Sequence, residues 1–433
     1  MSVKKRLLAL LCALTLWTPG LDGHAHAGEP GDPAHRTEAK DWLAEHLRLG
    51  GWLETAQGAR LYSTDEPITS RLQARLEAAM DWEPFFAFVS MDAEKNWIVT
   101  ETTRLALREA WLEYTAESWS LRMGRQIIVW GKADGLRITD NVCPVDYRDF
   151  MNRQRDDIRL PVTAALLRLS GDTFSTEAVW IPEFRHSLYP EAGDPWGALF
   201  AVGKSPLIRE KKRETPDFSL ENSEIGIRTS GYFSAFDVSL SAFHTWDDNP
   251  AYGSAVEWTA SGPRIAVTPE HRRVTILGAD VSVPWSEFVF RAEGALFLGR
   301  SLTSTEPGDA PRRKNVIKWL VGADWSPGND WTLTAQFSDE QILRHEAKLG
   351  QKEHRHIATL NVSRKFLNQT LTLSGMAYAF PDDKAVAGRF QAEYSVMDGM
   401  TLTAGLDIID GGNGTYSAFK KNSQLWMKLK YSF

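Results

Sequence analysis

The chain ends with the stretch Ser423 to Phe433, which reads Ser-Gln-Leu-Trp-Met-Lys-Leu-Lys-Tyr-Ser-Phe. Apolar side chains occupy every second position from Leu425 to Phe433, and most of the positions between them are polar. A period of two is that of a β-strand, whose successive side chains point to opposite faces, whereas a helix would scatter the two kinds of side chain. The stretch therefore predicts a strand with one apolar face and one polar face.

Alternation of this kind recurs along the chain, in Leu72–Trp82, Phe288–Leu298, Leu333–Phe337 and Phe390–Val396. The polar faces carry charges, which a membrane-spanning strand tolerates only where that face is wet. We therefore expect a water-filled lumen lined by Arg71, Arg75, Glu77, Asp81, Arg291, Glu293, Arg389 and Glu393. A soluble sheet could account for one such strand, but the repetition predicts an all-β transmembrane antiparallel β-barrel.

Short and long polar connections alternate between the predicted strands. The short ones lie near Glu83–Pro84, Ala116–Ser118, Ser170–Asp172, Tyr232–Ser234, Pro284–Trp285, Pro327–Asp330, Leu367–Asn368 and Met397–Gly399. The long ones lie near 56–70, 93–102, 130–160, 183–220, 246–270, 300–315, 341–354, 381–387 and 410–422. Outer-membrane barrels have short periplasmic turns and long external loops, so these connections predict about 18 strands, with about 16 as the alternative count.

The first residues have the pattern of a secretory signal peptide. A basic group, Lys4 to Arg6, precedes an apolar run from Leu7 to Trp17, and Ala25-His26-Ala27 is a small-x-small cleavage site. The apolar run is shorter than the ~20 residues of a transmembrane helix. We expect cleavage after residue 27, a periplasmic lead-in over 28–46 and a barrel over 47–433 in the bacterial outer membrane. An uncleaved anchor is the alternative.

Composition narrows the class of function. The chain has 17 Trp, 20 Phe and 10 Tyr, a net charge of −7 and a mean hydropathy of only −0.32. An aromatic-rich but polar chain fits an exported barrel, and the acidic balance argues against nucleic-acid binding. Cys143 is the one cysteine after the expected signal peptide, which excludes an intrachain disulfide in the mature chain. The spacing of cysteines and histidines predicts no metal site and no cofactor.

The third long connection, 130–160, is dense in charges of both signs. In general porins the third loop folds into the lumen, where facing acidic and basic residues orient ions and dipolar solutes. By analogy we expect 130–160 to be the lumen constriction. The residues expected to matter are Arg125, Trp130, Asp134, Arg137, Asp140 and Asp146. A structural plug or a salt-bridged external loop is the alternative interpretation.

The segment from Gly124 to Phe150 also resembles a Gram-negative outer-membrane family catalogued as a domain of unknown function, DUF1302. Its members carry the pattern GRQ-x-x-x-WG followed by a run that ends in N-P-x-D. The matching residues are Gly124, Arg125, Gln126, Trp130, Gly131, Pro144 and Asp146. Cys143 stands where the family pattern has asparagine. The resemblance implies a porin-like barrel, without an established substrate or reaction.

These features together predict a passive outer-membrane channel for small solutes and no enzyme, since no G-x-S-x-G, Walker or H-E-x-x-H motif is present. The expected partners are outer-membrane lipid, lipopolysaccharide and the barrel-assembly machinery. The assembly machinery would recognise the terminal Phe433. The basic run Arg209–Glu214 is expected to be a solvated charge run, with contact to lipopolysaccharide phosphates or an anionic solute as the alternative. Two alternatives stay open. One is a barrel that docks a periplasmic or surface partner or conducts hydrophobic compounds, and the other is a hydrolase that uses His244 or His345.

Overall fold

Strands account for most of the chain. The computed structural model describes residues 42, 44–133, 135–153, 157–197, 207–260, 262–412 and 415–433. The expected signal peptide and most of the expected lead-in lie outside the described residues. The described strands are β1 (Leu47–Arg60), β2 (Ser63–Trp82), β3 (Phe85–Asn96), β4 (Arg104–Thr115), β5 (Trp119–Gln126), β6 (Val162–Ser170), β7 (Phe174–Ile181), β8 (Ile208–Glu210), β9 (Glu224–Tyr232), β10 (Asp237–Trp246), β11 (Ala251–Thr259), β12 (Gly262–Glu270), β13 (Arg273–Trp285), β14 (Phe288–Leu302), β15 (Arg312–Trp325), β16 (Trp331–Ile342), β17 (His354–Phe366), β18 (Leu371–Phe380), β19 (Ala385–Met397), β20 (Met400–Gly411) and β21 (Gln424–Ser432).

Eighteen of these strands form one antiparallel sheet, and β21 pairs with β1 as well as with β20. The sheet is therefore a closed barrel, which has no unpaired edge. The closure confirms the all-β barrel and the count of 18 that the sequence predicts. Strands β8, β11 and β12 form a separate three-stranded sheet. Among the described residues, no helix is long and apolar enough to cross a membrane.

The alternation read from the sequence becomes two faces of the barrel wall. On β21 the outward side chains of Leu425 and Met427 are exposed, whereas the inward Gln424 is buried. On β2, Leu72 and Leu76 point outward and are exposed, whereas the inward Gln73 is buried. An exposed apolar exterior of this kind matches the lipid-facing band of a transmembrane barrel.

Short connections lie at one end of the barrel, which we call the turn end: 83–84, 116–118, 171–173, 233–236, 286–287, 326–330, 367–370 and 398–399. The other connections lie at the opposite end, which we call the loop end: 61–62, 97–103, 127–161, 182–223, 247–272, 303–311, 343–353, 381–384 and 412–423. The turns lie within a few residues of their predicted positions.

Two of the connections predicted to be long are in fact short. The chain from 56 to 70 forms a hairpin, in which Thr55 pairs with Leu72 and Arg60 with Ser63, so that only residues 61–62 connect the strands. Likewise, β19 begins at Ala385, inside the predicted connection 381–387. In both places polar side chains suggested a loop, but the strands extend into these ranges, with register shifts between Gly58 and Arg60 in the first hairpin.

An apolar core lies inside the barrel. Buried side chains of the 127–161 connection, including Ile128, Trp130 and Cys143, pack against inward-facing residues of β6, β7, β10 and β13 to β16. Burial of a large apolar side chain contributes roughly 1.5–3 kcal/mol. Several such side chains together therefore fix the connection against one side of the wall.

Candidate functional site

The connection between β5 and β6, residues 127–161, which we call the crossing segment, enters the lumen directly from the wall. Gln126, the last residue of β5, is buried, and its Nε2 donates to the carbonyl oxygen of Ala164 on β6 at 3.0 Å. The next backbone N–H, that of Ile127, donates to Glu109 Oε1 at 2.9 Å. The segment therefore starts on the inward face, held by β4 and β6.

Glu293 on β14 anchors the first half of the crossing segment. Its Oε1 accepts from the backbone N–H of Lys132 at 2.7 Å, and its Oε2 accepts from Thr139 Oγ1 at 2.8 Å. Lys132 Nζ also lies 3.2 Å from Asp280 Oδ1 on β13. These contacts join charged groups of the wall to backbone and side chains of the segment, and hydrogen bonds to charged groups are among the stronger ones.

The second half of the segment reaches a different part of the wall. Asp157 Oδ1 accepts from Arg75 Nη2 on β2 at 2.9 Å, and Arg153 Nη2 donates to Glu94 Oε1 on β3 at 2.6 Å. Beyond β2 and β3, the backbone carbonyl of Met151 accepts from Arg389 on β19.

These two contact areas face each other across the lumen. From β2 to β14 the wall runs through β3, β4, β5, β6, β7, β9, β10 and β13, so the two strands are nine steps apart in a barrel of 18. They are diametrically opposite. One continuous segment that contacts Glu293 on one side and Arg75 on the other therefore crosses the barrel interior.

The part of the wall around β2, which the second half of the segment contacts, carries several arginines that are paired with acidic residues. Arg71 Nη2 donates to Glu54 Oε1 at 2.9 Å, and Arg75 makes a two-point contact with Asp92, at 2.6 and 3.1 Å. Arg108 lies 3.8 Å from both Asp92 and Asp157. Basic groups of the wall thus face acidic groups of both the wall and the crossing segment.

The electrostatic environment differs along the segment. Burial tends to raise the pKa of Asp157, but the charges of Arg75 and Arg108 outweigh it, so the pKa lies below its ordinary value. For Asp149 burial is the larger effect and raises the pKa, although Arg153 and Arg71 oppose it. Asp157 is therefore the more firmly ionised of the two carboxylates.

The structure places the candidate constriction residues in different roles. Asp140 is buried and accepts from Arg159 Nη2 at 2.8 Å, and Arg137 donates to the carbonyl of Cys143 at 2.6 Å, so both hold the segment together. Asp146 is buried against Arg148, at 2.6 Å. Arg125 belongs to β5, where its Nε donates to the carbonyl of Arg108. Asp134 lies outside the described residues.

Trp130 anchors the segment within the apolar core. Its side chain is 2% exposed, its Nε1 donates to Glu177 Oε2 at 3.0 Å, and its ring meets Phe243 edge to face at 5.9 Å. The neighbouring Gly131 allows close approach, because a Cβ there would lie 2.7 Å from the Cβ of Asp140. This Trp-Gly pair, which the sequence singles out, thus has a packing explanation.

The predicted lumen-lining residues fall into two groups. Arg71, Arg75, Arg291, Glu293 and Arg389 contact the crossing segment. Glu77, Asp81 and Glu393 lie nearer the turn end, where Asp81 is exposed and 3.9 Å from Arg48. Sequence reasoning did not select Asp149, Arg153 and Asp157 from the charges of the segment. Their only sequence signal is their position in the charge-dense run, since their partners are distant in the chain.

The histidines considered for a hydrolase make simple contacts. His244 Nδ1 lies 2.9 Å from Thr275 Oγ1 on the barrel wall, and His345 Nε2 lies 2.8 Å from the carbonyl oxygen of Gln351. The absence of enzymatic activity stays a prediction. The basic run Arg209–Glu214 is partly neutralised, because Lys211 Nζ lies 2.7 Å from Glu257 Oε1 in the separate sheet.

Solved structures with the same fold include two from Pseudomonas aeruginosa. OccK11 (OpdR) matches with a TM-score of 0.52 and 8% identity, over 89% of this chain and 96% of its own. OccD3 (OpdP) matches with a TM-score of 0.51 and 8% identity, over 89% of this chain and 91% of its own. At these identities the likeness shows a common porin-type barrel fold.

No curated protein matches the chain. The family described as "Protein of unknown function (DUF1302)" matches residues 100–428, a range that contains the crossing segment. This match confirms the resemblance carried by Gly124–Phe150, and the chain belongs to the DUF1302 family.

Proposed function

We propose that this protein is an outer-membrane channel for passive passage of small solutes, and that the crossing segment is its constriction. The observation that carries the proposal is the pair of anchors on diametrically opposite strands, Glu293 on β14 and Arg75 on β2. A segment held at both walls divides the cross-section of the lumen. Solutes then pass only through the space that the segment leaves.

The charges around the segment support a role in selecting ionic or dipolar solutes. Arg71, Arg75 and Arg108 face Asp149 and Asp157 across short distances. Facing charges of opposite sign create a transverse field, and a charged constriction biases the flow of ions. The channel should therefore discriminate between solutes by charge as well as by size.

The exterior and the last strand support insertion into the outer membrane. Exposed apolar side chains such as Leu425 and Met427 form a surface suited to lipid, with lipopolysaccharide as the partner at the loop end. Phe433 exchanges backbone hydrogen bonds with Gly51 of β1, at 3.0 and 3.1 Å, and so lies at the closure of the barrel. This position suits recognition by the assembly machinery before the barrel closes.

Planar-bilayer recordings test the proposal. Wild-type protein should give small discrete conductance steps, and deletion of residues 134–157 should enlarge them. A matched control replaces the β11–β12 hairpin, 251–270, by a short Gly-Ser linker, because that hairpin belongs to the separate sheet. The control should conduct like the wild type. A folded barrel that stays closed even after deletion of 134–157 would contradict the proposal and favour a docking role.

A further inference from the structure

Two histidines and one aspartate meet on the outer wall near the loop end. His354 and His356 lie two residues apart on β17, so their side chains share one face of the strand. On the neighbouring strand β16, Asp339 pairs directly with His356. The same outward face carries Phe337 and Leu360, both exposed, which places the three residues on the exterior of the barrel.

The three side chains have the spacing of metal ligands. His354 Nδ1 lies 3.0 Å from Asp339 Oδ2, and His356 Nε2 lies 3.7 Å from Asp339 Oδ1. The ligand atoms all lie within 4.8 Å of one another. Zinc–nitrogen and zinc–oxygen bonds of about 2.0–2.1 Å place the ligand atoms of a tetrahedral site about 3.3 Å apart. Small side-chain adjustments would therefore bring all three to a common ion.

Asp339 provides a second, independent observation. Asp339 is 6% exposed although it lies on an outer wall, and its Oδ1 is buried without a hydrogen-bond partner. An ionised carboxylate oxygen in that position has lost its hydration, which is costly unless a positive charge compensates. This oxygen lies 3.7 Å from His356 Nε2, so an ion bound by both atoms would compensate its charge.

Asp382 orients one of the imidazoles. It lies in the connection between β18 and β19, and its Oδ1 is 3.1 Å from His356 Nδ1. Its Oδ2 accepts from the backbone N–H of His356 at 2.6 Å. A carboxylate on one ring nitrogen holds a histidine with its other nitrogen toward a metal, as in carboxylate–histidine–zinc arrangements. The contact of Asp382 with Nδ1 therefore orients the ring with Nε2 on the side of Asp339.

We propose that Asp339, His354 and His356 bind a divalent transition-metal ion of the zinc class on the outer rim of the barrel. Two imidazoles favour zinc over calcium, which prefers oxygen ligands. Three protein ligands leave a fourth position open toward the exterior. The bound ion would join β16 to β17 and, through Asp382, to the connection 381–384. The spacing of residues along the sequence predicted no metal site, because the third ligand, Asp339, lies on another strand and is brought to the histidines only by the pairing of β16 with β17.

Metal titration of the untagged protein in detergent, after removal of metal with a chelator, tests the site. Zn²⁺ should bind with one ion per chain, and Co²⁺ should give the visible absorption of a tetrahedral complex with mixed nitrogen and oxygen ligands. Asp339→Asn and His356→Asn should each weaken Zn²⁺ binding at least 100-fold. His345→Asn is the matched control, because His345 is a loop-end histidine outside the cluster, and it should leave the affinity unchanged.

Asp382→Asn separates an orienting role from direct coordination. Loss of such an outer hydrogen bond typically lowers metal affinity 10–100-fold, so this variant should bind more weakly than the wild type but retain the cobalt spectrum. Heat-modifiable gel migration shows whether each variant is folded. The proposal is overturned if folded Asp339→Asn and His356→Asn bind Zn²⁺ as the wild type does, or if His345→Asn loses binding to the same extent.

Discussion

Arg75 of β2 and Asp157 of the crossing segment are 82 residues apart in the chain but joined by a hydrogen bond of 2.9 Å between Nη2 and Oδ1. Arg75 also holds Asp92, to which its Nε donates at 2.6 Å and the same Nη2 donates at 3.1 Å. The guanidinium is therefore fixed by the wall before it meets the segment, and it provides a rigid docking point. The contact links the second half of the segment to the side of the barrel opposite Glu293.

Asp157→Asn should loosen that docking point. Loss of a hydrogen bond between charged groups costs about 1.5–3 kcal/mol, which favours the undocked state by roughly 10- to 150-fold. We expect larger and noisier single-channel currents in planar bilayers. The control is Lys211→Gln, which breaks the exposed ion pair with Glu257 outside the barrel sheet. Identical current and noise in Asp157→Asn and wild type would show that this contact does not limit conduction.

Glu293→Ala should release the first half of the segment. Substitution leaves the N–H groups of Lys132 and Thr139 and the Thr139 hydroxyl without their acceptor. An unsatisfied buried donor costs about 1–3 kcal/mol, so amide hydrogen exchange at residues 132 and 139 should accelerate roughly 5- to 150-fold. Glu393→Ala, on an exposed side chain nearer the turn end, serves as control. Equal protection in both variants would contradict the anchoring role.

Trp130 substitutions should separate packing from hydrogen bonding. Trp130→Ala removes a buried aromatic side chain and should destabilise the protein by about 3–5 kcal/mol. Trp130→Phe keeps most of the ring packing against Phe243 but loses the bond to Glu177, at a cost of about 1 kcal/mol. Thermal unfolding in detergent measures both. Equal losses of stability would show that the hydrogen bond, rather than the packing, dominates.

Cys143 should be chemically inert in the folded protein. It is fully buried, and burial raises the pKa of its thiol to about 12, although the N–H of Ile128 lowers it in part. Because the thiolate is the reactive form, iodoacetamide at pH 8 should not modify Cys143 until the protein is unfolded. A Thr259→Cys variant, exposed at the end of β11, provides the positive control in the same assay. Fast labelling of folded wild type would contradict the buried position.

His271 should make the loop end sensitive to acid. Burial lowers the pKa of His271 to about 4, and Arg213 adds to this, against the opposing hydrogen bond to the carbonyl of Asp247. When the connection opens, the pKa returns to about 6.5, so the open state binds the proton more readily. The contribution of neutral, buried His271 to the stability of the closed connection is therefore complete above pH 6.5, and it is lost as the pH falls toward 4.

Hydrogen exchange of residues 247–272, corrected for its intrinsic pH dependence, measures this effect. Wild-type protection should fall progressively between about pH 6.5 and 4. His271→Gln should remove most of that dependence, whereas His345→Gln should keep it, because His345 bonds only a loop carbonyl among its described contacts. A pH profile that is the same in His271→Gln and wild type would exclude His271 as the responsible group.

Much of the barrel could be predicted from local sequence patterns. The alternation in Ser423–Phe433 and its repetition determine strands with an apolar and a polar face, because side chains on a strand alternate with a period of two. The turns could be placed for the same reason, as the alternation breaks there. The connection 56–70 could not, since its polar residues pair with each other in the hairpin, and pairing depends on the neighbouring strand rather than on composition.

The sequence by itself determined the strand class and the family motif, both of which depend on residues close together in the chain. It predicted about 18 strands with 16 as the alternative, and the pairing of β21 with β1 decided the count. Only the tertiary structure decided which charges meet: Arg75 with Asp157, Glu293 with Lys132, and Asp339 with His356. These contacts join residues that barrel closure and strand register bring together. Their identity therefore depends on the geometry of 18 paired strands, which no local pattern of residues contains.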